Sequence, residues 1–424
     1  FLYNPRGHGF LRIVAVHVTG ATRVLLEDTS PSTFILHTKH YMQFLPCTHE
    51  LLWTSERSGY RHLYLYNVPA SFHDMTELVG LALTSGPYVV RKVVDLNETS
   101  RTVTLAVSGF YPHQDPYYIH VLRLHLDTHE LVPLTKADGF HRPLEYSADG
   151  SVYLDRYSRV DMAPCIELRR SVDGGLVCVL EQGDYQPLQD QVQWQPPSRF
   201  ASPGRDGVTL IFGLVVFPIG YDFETRLRVV EHIYAGPHGA HNIRDAGFPD
   251  RKLWLESLAV KFPSLDLSTG GVGIYGGSAG GQNAVAGLFH HGDMYSVAVA
   301  DCGCHDNRVD KLWWNELWMG HPFNNQLYAA NANATYAHHM QPHQHLQLTV
   351  GMLDANVDPA CTFQLVQALI DADKDVDVVV FPKLGHGAGG SAYGTRKRWD
   401  FFVRHLQGNE PRHSTTKQTE SGGG

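Results

Sequence analysis

The segment Gly276–Gly281 reads Gly-Gly-Ser-Ala-Gly-Gly and lies between a predicted strand and a predicted helix. It contains the pattern Gly-x-Ser-x-Gly, with Ser278 at its centre. Such a turn holds the serine in a strained, exposed conformation in which larger flanking side chains would clash. A serine hydroxyl is a weak nucleophile at neutral pH and needs a histidine base that a carboxylate orients. The pattern therefore predicts Ser278 as the nucleophile of an acyl-transfer reaction.

Two later residues have the chemistry that this nucleophile needs. Asp354 follows a predicted strand that ends at Leu353, and His386 follows one that ends at Pro382. Active sites gather at the carboxyl ends of parallel strands, and this class of turn takes its partners in the chain order Ser, Asp, His. We therefore predict His386 as the base, Asp354 as its orienting carboxylate and the backbone N–H of Ala279 as an oxyanion donor.

Other clusters of reactive side chains predict less. His338, His339, His343 and His345 lie close together in the sequence, but no carboxylate or cysteine stands at ligand spacing. We therefore predict no metal and no cofactor. Cys302 and Cys304 are expected to be packing residues. The tryptophans at 313, 314 and 318 fit a core cluster and a pocket wall equally well.

The second half of the chain must position this site. Strands and helices alternate there, which predicts a mainly parallel sheet covered on both faces, in an α/β-hydrolase domain over residues 196–408. The predicted strands are Val208–Phe217, Val229–Ala235, Val272–Tyr275, Ser296–Ala300, Leu346–Met352 and Asp377–Phe381. The predicted helices are Leu253–Phe262, Gly281–His290, Pro359–Asp371 and Thr395–Leu406.

The first half, residues 1–195, has short strands between turn clusters and no predicted helix. His62–Tyr66 followed by Leu83–Gly86 is repeated approximately as His120–Leu124 followed by Leu134–Gly139, and a third copy begins near Cys165. This recurrence predicts the blades of a β-propeller, with a plain β-sandwich as the alternative. Only about three to four blades fit, so we expect a partial propeller. Residues 409–424 are expected to form a disordered tail.

The composition of the chain limits the kinds of molecule that it is expected to bind. The formal net charge is -9, and no long basic block offers a surface to nucleic acid. A peptide or small molecule is the expected substrate. The longest apolar run, Val208–Phe217, is too short to span a bilayer as a helix. The cellular compartment is not predicted by these residues.

Several motifs in the same order resemble the dipeptidyl peptidase IV branch of the prolyl oligopeptidase family of serine peptidases. The resemblance covers nearly the whole chain to about residue 408. Its motifs are the Ser278 turn, Trp53–Tyr66, Asp115–Tyr118, Ile233–Pro237, Trp318–Gly320, Asp354–Pro359 and Gly385–Gly387.

The resemblance implies further roles. Tyr234 would donate its hydroxyl to the oxyanion, Asn356 would contact the substrate backbone, and Val357 and Trp314 would line the pocket for the residue before the cleaved bond. Members of the family often dimerise, so a homodimer is a further expectation. The implied activity is that of a serine peptidase that releases N-terminal dipeptides.

The chain departs from the family pattern at three places. It has no counterpart of the glutamate pair that holds the amino terminus of the substrate. The segment between Pro237 and Leu253 is too short for the usual core strand and its helix, and Cys302–Asn307 replaces expected aromatic residues. Two alternatives to a dipeptidyl peptidase therefore stay open, namely a catalytically inactive scaffold and an esterase or acyl-peptide hydrolase.

Overall fold

A computed structural model describes residues 1–30, 34–236, 248–268, 271–323 and 325–411. The chain forms two compact units. The first contains Phe1–Arg199, Leu214–Gly220 and Glu316–His321, and the second contains Phe200–Gly213, Tyr221–Asn315 and Pro322–Gly424. The predicted tail falls mainly outside the described residues, and the predicted domain limits stay predictions.

The first unit consists of four consecutive antiparallel sheets, ordered β1-β2-β3, β4-β5-β6-β7, β11-β10-β9-β8 and β12-β14-β15-β16, with β13 on β14. The strands of the first two sheets are β1 Leu2–Tyr3, β2 Phe10–Val16, β3 Thr22–Thr29, β4 Met42–Leu45, β5 Glu50–Ser55, β6 His62–Asn67 and β7 Gly80–Ala82. Those of the other two are β8 Val89–Asn97, β9 Thr102–Ser108, β10 Ile119–His125, β11 Leu131–Pro133, β12 Phe140–His141, β13 Glu145–Tyr146, β14 Val152–Arg159, β15 Met162–Arg170 and β16 Leu176–Gln182.

Each sheet packs its apolar face against the next sheet along the chain. In β9 the alternate residues Val103, Leu105 and Val107 are fully buried, as the two-residue period of a strand requires. They share one core with Leu52 and Leu63 of the preceding sheet. Similar cores join the first sheet to the second and the third to the fourth. This serial packing is that of propeller blades, as the repeat predicts.

The prediction of no helix before residue 195 was wrong. Helix α1 spans Gln186–Val192, with proline in its first turn. Proline suits that position because the first N–H groups of a helix lack acceptors. Only Leu188 and Val192 give this seven-residue helix an apolar spacing of four, which is too short a pattern to predict a helix from the sequence.

The second unit is built around a six-stranded sheet in the order β20-β19-β21-β22-β23-β24, whose strand pairs are all parallel. Its strands are β19 Leu227–His232, β20 Leu265–Asp266, β21 Val272–Gly277, β22 Tyr295–Asp301, β23 His345–Gly351 and β24 Asp377–Phe381. Two further strands, β17 Ser198–Pro203 and β18 Leu210–Val215, form a separate two-stranded sheet.

Helices join these strands. They are α2 Phe248–Lys261, α3 Ala279–His290, α4 Leu312–Met319, α5 Leu327–Ala330, α6 Ala360–Asp371 and α7 Ala392–His405. Short 3₁₀ helices occur at His37–Lys39, Phe72–Asp74, Asn333–His339 and Ala388–Gly390. Strands β17 and β20 and helices α4 and α5 were not predicted. Among the described residues, no helix combines the length and the apolar character that crossing a membrane requires.

The central strands place the candidate site. Buried apolar residues such as Val297 and Val299 of β22 pack against Phe401 and Phe402 of α7. Runs of this kind are typical of parallel strands that are covered on both faces. Because β19, β21, β23 and β24 run parallel, the loops after them meet at one edge of the sheet, where the candidate catalytic residues lie.

Strand β19 has little support on its outer side. In the part of the chain that the structure describes, its only partner there is β20, through the pairs Leu227–Leu265 and Arg228–Asp266. The segment between Pro237 and Leu253 was predicted to be too short for the usual core strand and its helix. It lies largely at positions 237–247, outside the described residues.

Candidate active site

The turn between β21 and α3 holds Ser278 at φ 57° and ψ -124°. This left-handed conformation is uncommon for a residue with a side chain and is typical of a nucleophile turn. A Cβ atom on Gly276 would lie 2.5 Å from the carbonyl oxygen of Ile233, and one on Gly280 only 2.3 Å from it. The two glycines therefore let the turn pack directly against the backbone that follows β19.

Tyr234 follows Ile233 and reaches Ser278. Its hydroxyl is hydrogen-bonded to Ser278, and burial raises the pKa of Tyr234 while that contact lowers it. The phenol therefore stays protonated at neutral pH and can donate a hydrogen bond. The backbone N–H of Ala235 donates to Oδ1 of Asn283 in α3 at 3.1 Å, which fixes this segment. Asn283 was not predicted from the sequence.

Ala279 is the first residue of α3. The first N–H groups of a helix have no acceptor within it, and the helix dipole adds positive character at this end. The N–H of Ala279 is thus available, next to the nucleophile, to an oxygen that becomes negatively charged. Its predicted role as an oxyanion donor stays a prediction.

Asp354 and His386 form the second half of the site. Nδ1 of His386 lies 2.8 Å from Oδ2 of Asp354, whose side chain is 1% exposed, whereas that of His386 is 29% exposed. Oδ1 of Asp354 accepts from the backbone N–H groups of Asn356 and Val357, both at 2.9 Å. An ionised carboxylate only accepts, so Nδ1 carries the imidazole proton and Nε2 keeps a lone pair. This is the tautomer that a general base needs.

Cys302 lies between the two halves. Its Sγ is 4.0 Å from Nε2 of His386, and it accepts a hydrogen bond from the backbone N–H of Gly387. Burial, reinforced by the charge of Asp301, raises the pKa of Cys302 to about 12. Cys302 was predicted to be a packing residue, and it is buried. Its contact with the base was missed, although its place directly after β22 is a signal.

Asp301 was also missed. Its carbonyl oxygen accepts from the N–H of Ser278 at 2.9 Å, and its Oδ1 accepts from the N–H of Gly389 at 2.9 Å. The residue therefore ties the nucleophile turn to the loop that carries His386. Burial raises the pKa of Asp301, while the bond from Gly389, the thiol of Cys302 and the charge of His386 lower it.

The predicted pocket residues are less clearly placed. Trp314 is half-buried and meets Trp313 edge to face, with ring centroids 6.2 Å apart. The carbonyl oxygen of Asn356 accepts from Nζ of Lys311. Val357 is buried in a cluster with Cys304 and Cys361. Their predicted substrate contacts stay predictions.

Three histidines of the sequence cluster, His338, His339 and His345, belong to two separate groups of packed rings. His338 packs edge to face on His339, with ring centroids 4.4 Å apart, and His339 meets His290 in the same way. His345 stacks on His405 at 4.1 Å. These histidines thus lie in ring-packing arrangements.

Two family models match the chain. The prolyl oligopeptidase family matches residues 238–409, and the dipeptidyl peptidase IV N-terminal region matches residues 3–164. Dipeptidyl peptidase 8 from Homo sapiens and that from Mus musculus are each 33% identical to the chain over 141 residues. These residues are 31% of this chain and 15% of each relative.

Solved structures extend the likeness to nearly the whole chain. Dipeptidyl peptidase 4 from Porphyromonas gingivalis superposes with a TM-score of 0.76 at 17% identity, covering 96% of this chain and 61% of that one. A Bacteroides ovatus protein assigned as a dipeptidyl aminopeptidase IV gives 0.78 at 18% identity, covering 96% and 64%. The chain thus spans less than two thirds of these relatives. The likeness confirms the predicted fold class, a partial β-propeller followed by an α/β-hydrolase domain.

Proposed function

The chain belongs to the dipeptidyl peptidase IV branch of the prolyl oligopeptidase family, and from this premise we propose that it hydrolyses peptide bonds through an acyl-enzyme on Ser278. The observation that carries the proposal is the 2.8 Å contact between His386 and Asp354, in the unit that also holds Ser278 in a nucleophile turn. This contact places the imidazole proton on Nδ1, so that Nε2 of His386 has a lone pair that can take a proton.

The first half of the reaction forms the acyl-enzyme. Oγ of Ser278 attacks the peptide carbonyl carbon while Nε2 of His386 takes the hydroxyl proton. Asp354 stabilises the resulting imidazolium. The oxyanion accepts hydrogen bonds from the hydroxyl of Tyr234 and the N–H of Ala279. The bond from carbon to nitrogen then breaks, and His386 gives its proton to the leaving amine.

The second half releases the acyl group. A water molecule loses a proton to His386 and attacks the ester carbon. The bond to Oγ breaks, the acid leaves, and the proton returns to Ser278. The same donors hold the second oxyanion, so no further group is required.

The first test is labelling of the intact chain with a fluorophosphonate probe, which reacts with activated serines. We expect labelling of Ser278 in the wild type and none in Ser278→Ala. A folded wild-type chain that does not label would contradict the proposal and favour an inactive scaffold. Cooperative thermal melting, measured on the same samples, shows whether the chain is folded.

The finer proposal is the release of N-terminal dipeptides, since the relatives carry the name dipeptidyl peptidase. The test compares the turnover of three substrates. The first is a peptide amide that has a free amino terminus and proline before the cleaved bond. The second is the same peptide with a blocked amino terminus, and the third is a short ester. Preference for the free amino terminus supports the dipeptidyl peptidase. Equal turnover of the blocked peptide, or turnover of the ester alone, favours an acyl-peptide hydrolase or an esterase. Light scattering of the same protein tests for the expected homodimer.

A further inference from the structure

A cysteine sulfur and a histidine nitrogen, both of which can bind a metal ion, lie close together in the candidate active site. Sγ of Cys302 and Nε2 of His386 are 4.0 Å apart, and the ligand atoms of Cys302, His386 and Asp354 all lie within 4.8 Å of one another. The mechanism needs only the imidazole and the carboxylate. The thiol is therefore a buried nucleophilic group beside the base to which the proposed reaction gives no task.

The spacing suits one metal ion. Zinc binds a cysteine sulfur at about 2.3 Å and a histidine nitrogen at about 2.0–2.1 Å. The sum of these bond lengths slightly exceeds the 4.0 Å separation, so a single ion can contact both atoms where they stand. The angle at the ion would be about 130°, which a small movement of either side chain reduces to the tetrahedral value.

The surroundings of both ligands favour a cation. Asp354 holds the Nδ1 proton of His386, and a carboxylate in this position orients and strengthens imidazole ligands in metal sites. A hydrogen bond from the backbone N–H of Gly387 lowers the pKa of Cys302 against the larger effect of burial, so a thiolate there would gain stability from a bound cation. The carboxylate of Asp301 adds a further negative charge beside the sulfur. The 29% exposure of the His386 side chain provides a way in for the ion.

We propose that Cys302 and His386 form a binding site for a soft divalent cation such as Zn²⁺, and that an ion bound there inhibits the chain by occupying the base. Binding breaks the S–H bond of Cys302, forms the sulfur–metal bond and releases one proton to solvent, with no change in oxidation state. The site itself depends only on the geometry, whereas the inhibition rests on the proposed function. Hard cations such as Mg²⁺ prefer oxygen ligands and are not expected to bind.

The test measures the rate of fluorophosphonate labelling with and without Zn²⁺, after treatment with EDTA. All proteins carry Cys47→Ser and Cys178→Ser, which remove the two exposed thiols. The variants are Cys302→Ser and the volume-conserving Cys302→Val. The matched control is Cys304→Ser, since the thiol of Cys304 is also buried but is hydrogen-bonded to that of Cys361.

We expect Zn²⁺ to slow labelling of the wild type and of Cys304→Ser. In both Cys302 variants the concentration for half-inhibition should rise at least ~10-fold, the smallest loss typical even of an outer-shell change in metal sites. Mg²⁺ should have no effect on any protein. Equal inhibition of all proteins by Zn²⁺, or no inhibition of the wild type, would overturn the proposal.

A second measurement does not depend on activity. Cd²⁺ bound to a thiolate absorbs in the ultraviolet, so a Cd²⁺ titration reports binding in a chain that does not label at all. The absorbance of the wild type should exceed that of Cys302→Ser by the contribution of one thiolate, and Cys302→Val serves if the serine variant does not fold. An absorbance that is unchanged in both Cys302 variants would refute the site. Failure of labelling together with this absorbance difference would instead refute the proposed function alone.

Discussion

Asp354→Asn isolates the orienting role of the carboxylate from its structural role. The side-chain oxygen of asparagine can still accept from the N–H groups of Asn356 and Val357, which now bind Oδ1 at 2.9 Å. The amide nitrogen then faces Nδ1 of His386, and an amide nitrogen only donates. Nδ1 must therefore become the acceptor, and the proton moves to Nε2. The imidazole is then in the wrong tautomer to act as a base.

The expected loss in kcat is about 10⁴-fold, the effect of the same exchange in a serine protease triad. This corresponds to about 5 kcal/mol of activation free energy. The unfolding free energy should fall by no more than about 3 kcal/mol, the upper range for a hydrogen bond to a charged group, because both backbone bonds persist. The substitution should therefore reduce activity more strongly than it reduces stability.

The assay compares labelling rate, peptide turnover and thermal melting for the wild type, Asp354→Asn and the control Asp358→Asn. Asp358 is exposed, and its Oδ1 accepts from the N–H of Ala360 at 2.8 Å at the start of α6. The control should keep near-normal activity. Turnover of folded Asp354→Asn within tenfold of the wild type would refute the tautomer argument, as would an equal loss in Asp358→Asn.

Three further changes have distinct expected results. Tyr234→Phe removes the hydroxyl bonded to Ser278 and should lower kcat by about 10²–10³ while melting is unchanged. Burial lowers the pKa of His305 to about 3, so the unfolded state takes up a proton first as the pH falls below about 6.5. Stability should fall with pH between these values by up to about 1.4 kcal/mol per pH unit, and His305→Gln should flatten that slope in melting experiments. Asp28→Ala leaves the buried indole N–H of Trp53 without its 2.7 Å acceptor and should cost about 1–3 kcal/mol in denaturant unfolding.

Each of these results has a clear opposite. Full activity of Tyr234→Phe would show that the hydroxyl of Tyr234 does not stabilise the oxyanion. An unchanged pH slope in His305→Gln would mean that other groups produce the acid sensitivity. Normal stability of Asp28→Ala would show that water reaches Trp53 in the variant, because a hydrated N–H no longer lacks an acceptor.

The sequence was most informative where function restricts the backbone. Glycines on both sides of Ser278 predict the turn, and the structure shows why they are needed, since a Cβ on Gly276 or Gly280 would meet the oxygen of Ile233. The alternation of strand and helix patterns after residue 196 predicts a mainly parallel sheet, and β22 shows the buried, largely apolar sequence that such strands have. The blades were predictable because their period repeats.

The sequence was least informative where long-range packing decides. Asp301 and Cys302 look like the end of a buried strand, and only the approach of the loop after β24 places them beside His386. Helix α1 has no buried residue, and its apolar spacing is too short to distinguish it from a loop. The two-residue strand β20 is defined by its pairing with β19 and by nothing local.

The backbone conformation of Ser278 lowers the stability of the fold at the residue that the proposed reaction requires. A residue with a side chain at φ 57° and ψ -124° stores on the order of 1–3 kcal/mol of strain, which glycine largely avoids. Ser278→Gly should therefore melt at a higher temperature than Ser278→Ala, although both lack the nucleophile. Selection for folding alone would favour the loss of this serine. A catalogue of inactive homologues should accordingly contain glycine at this position more often than alanine.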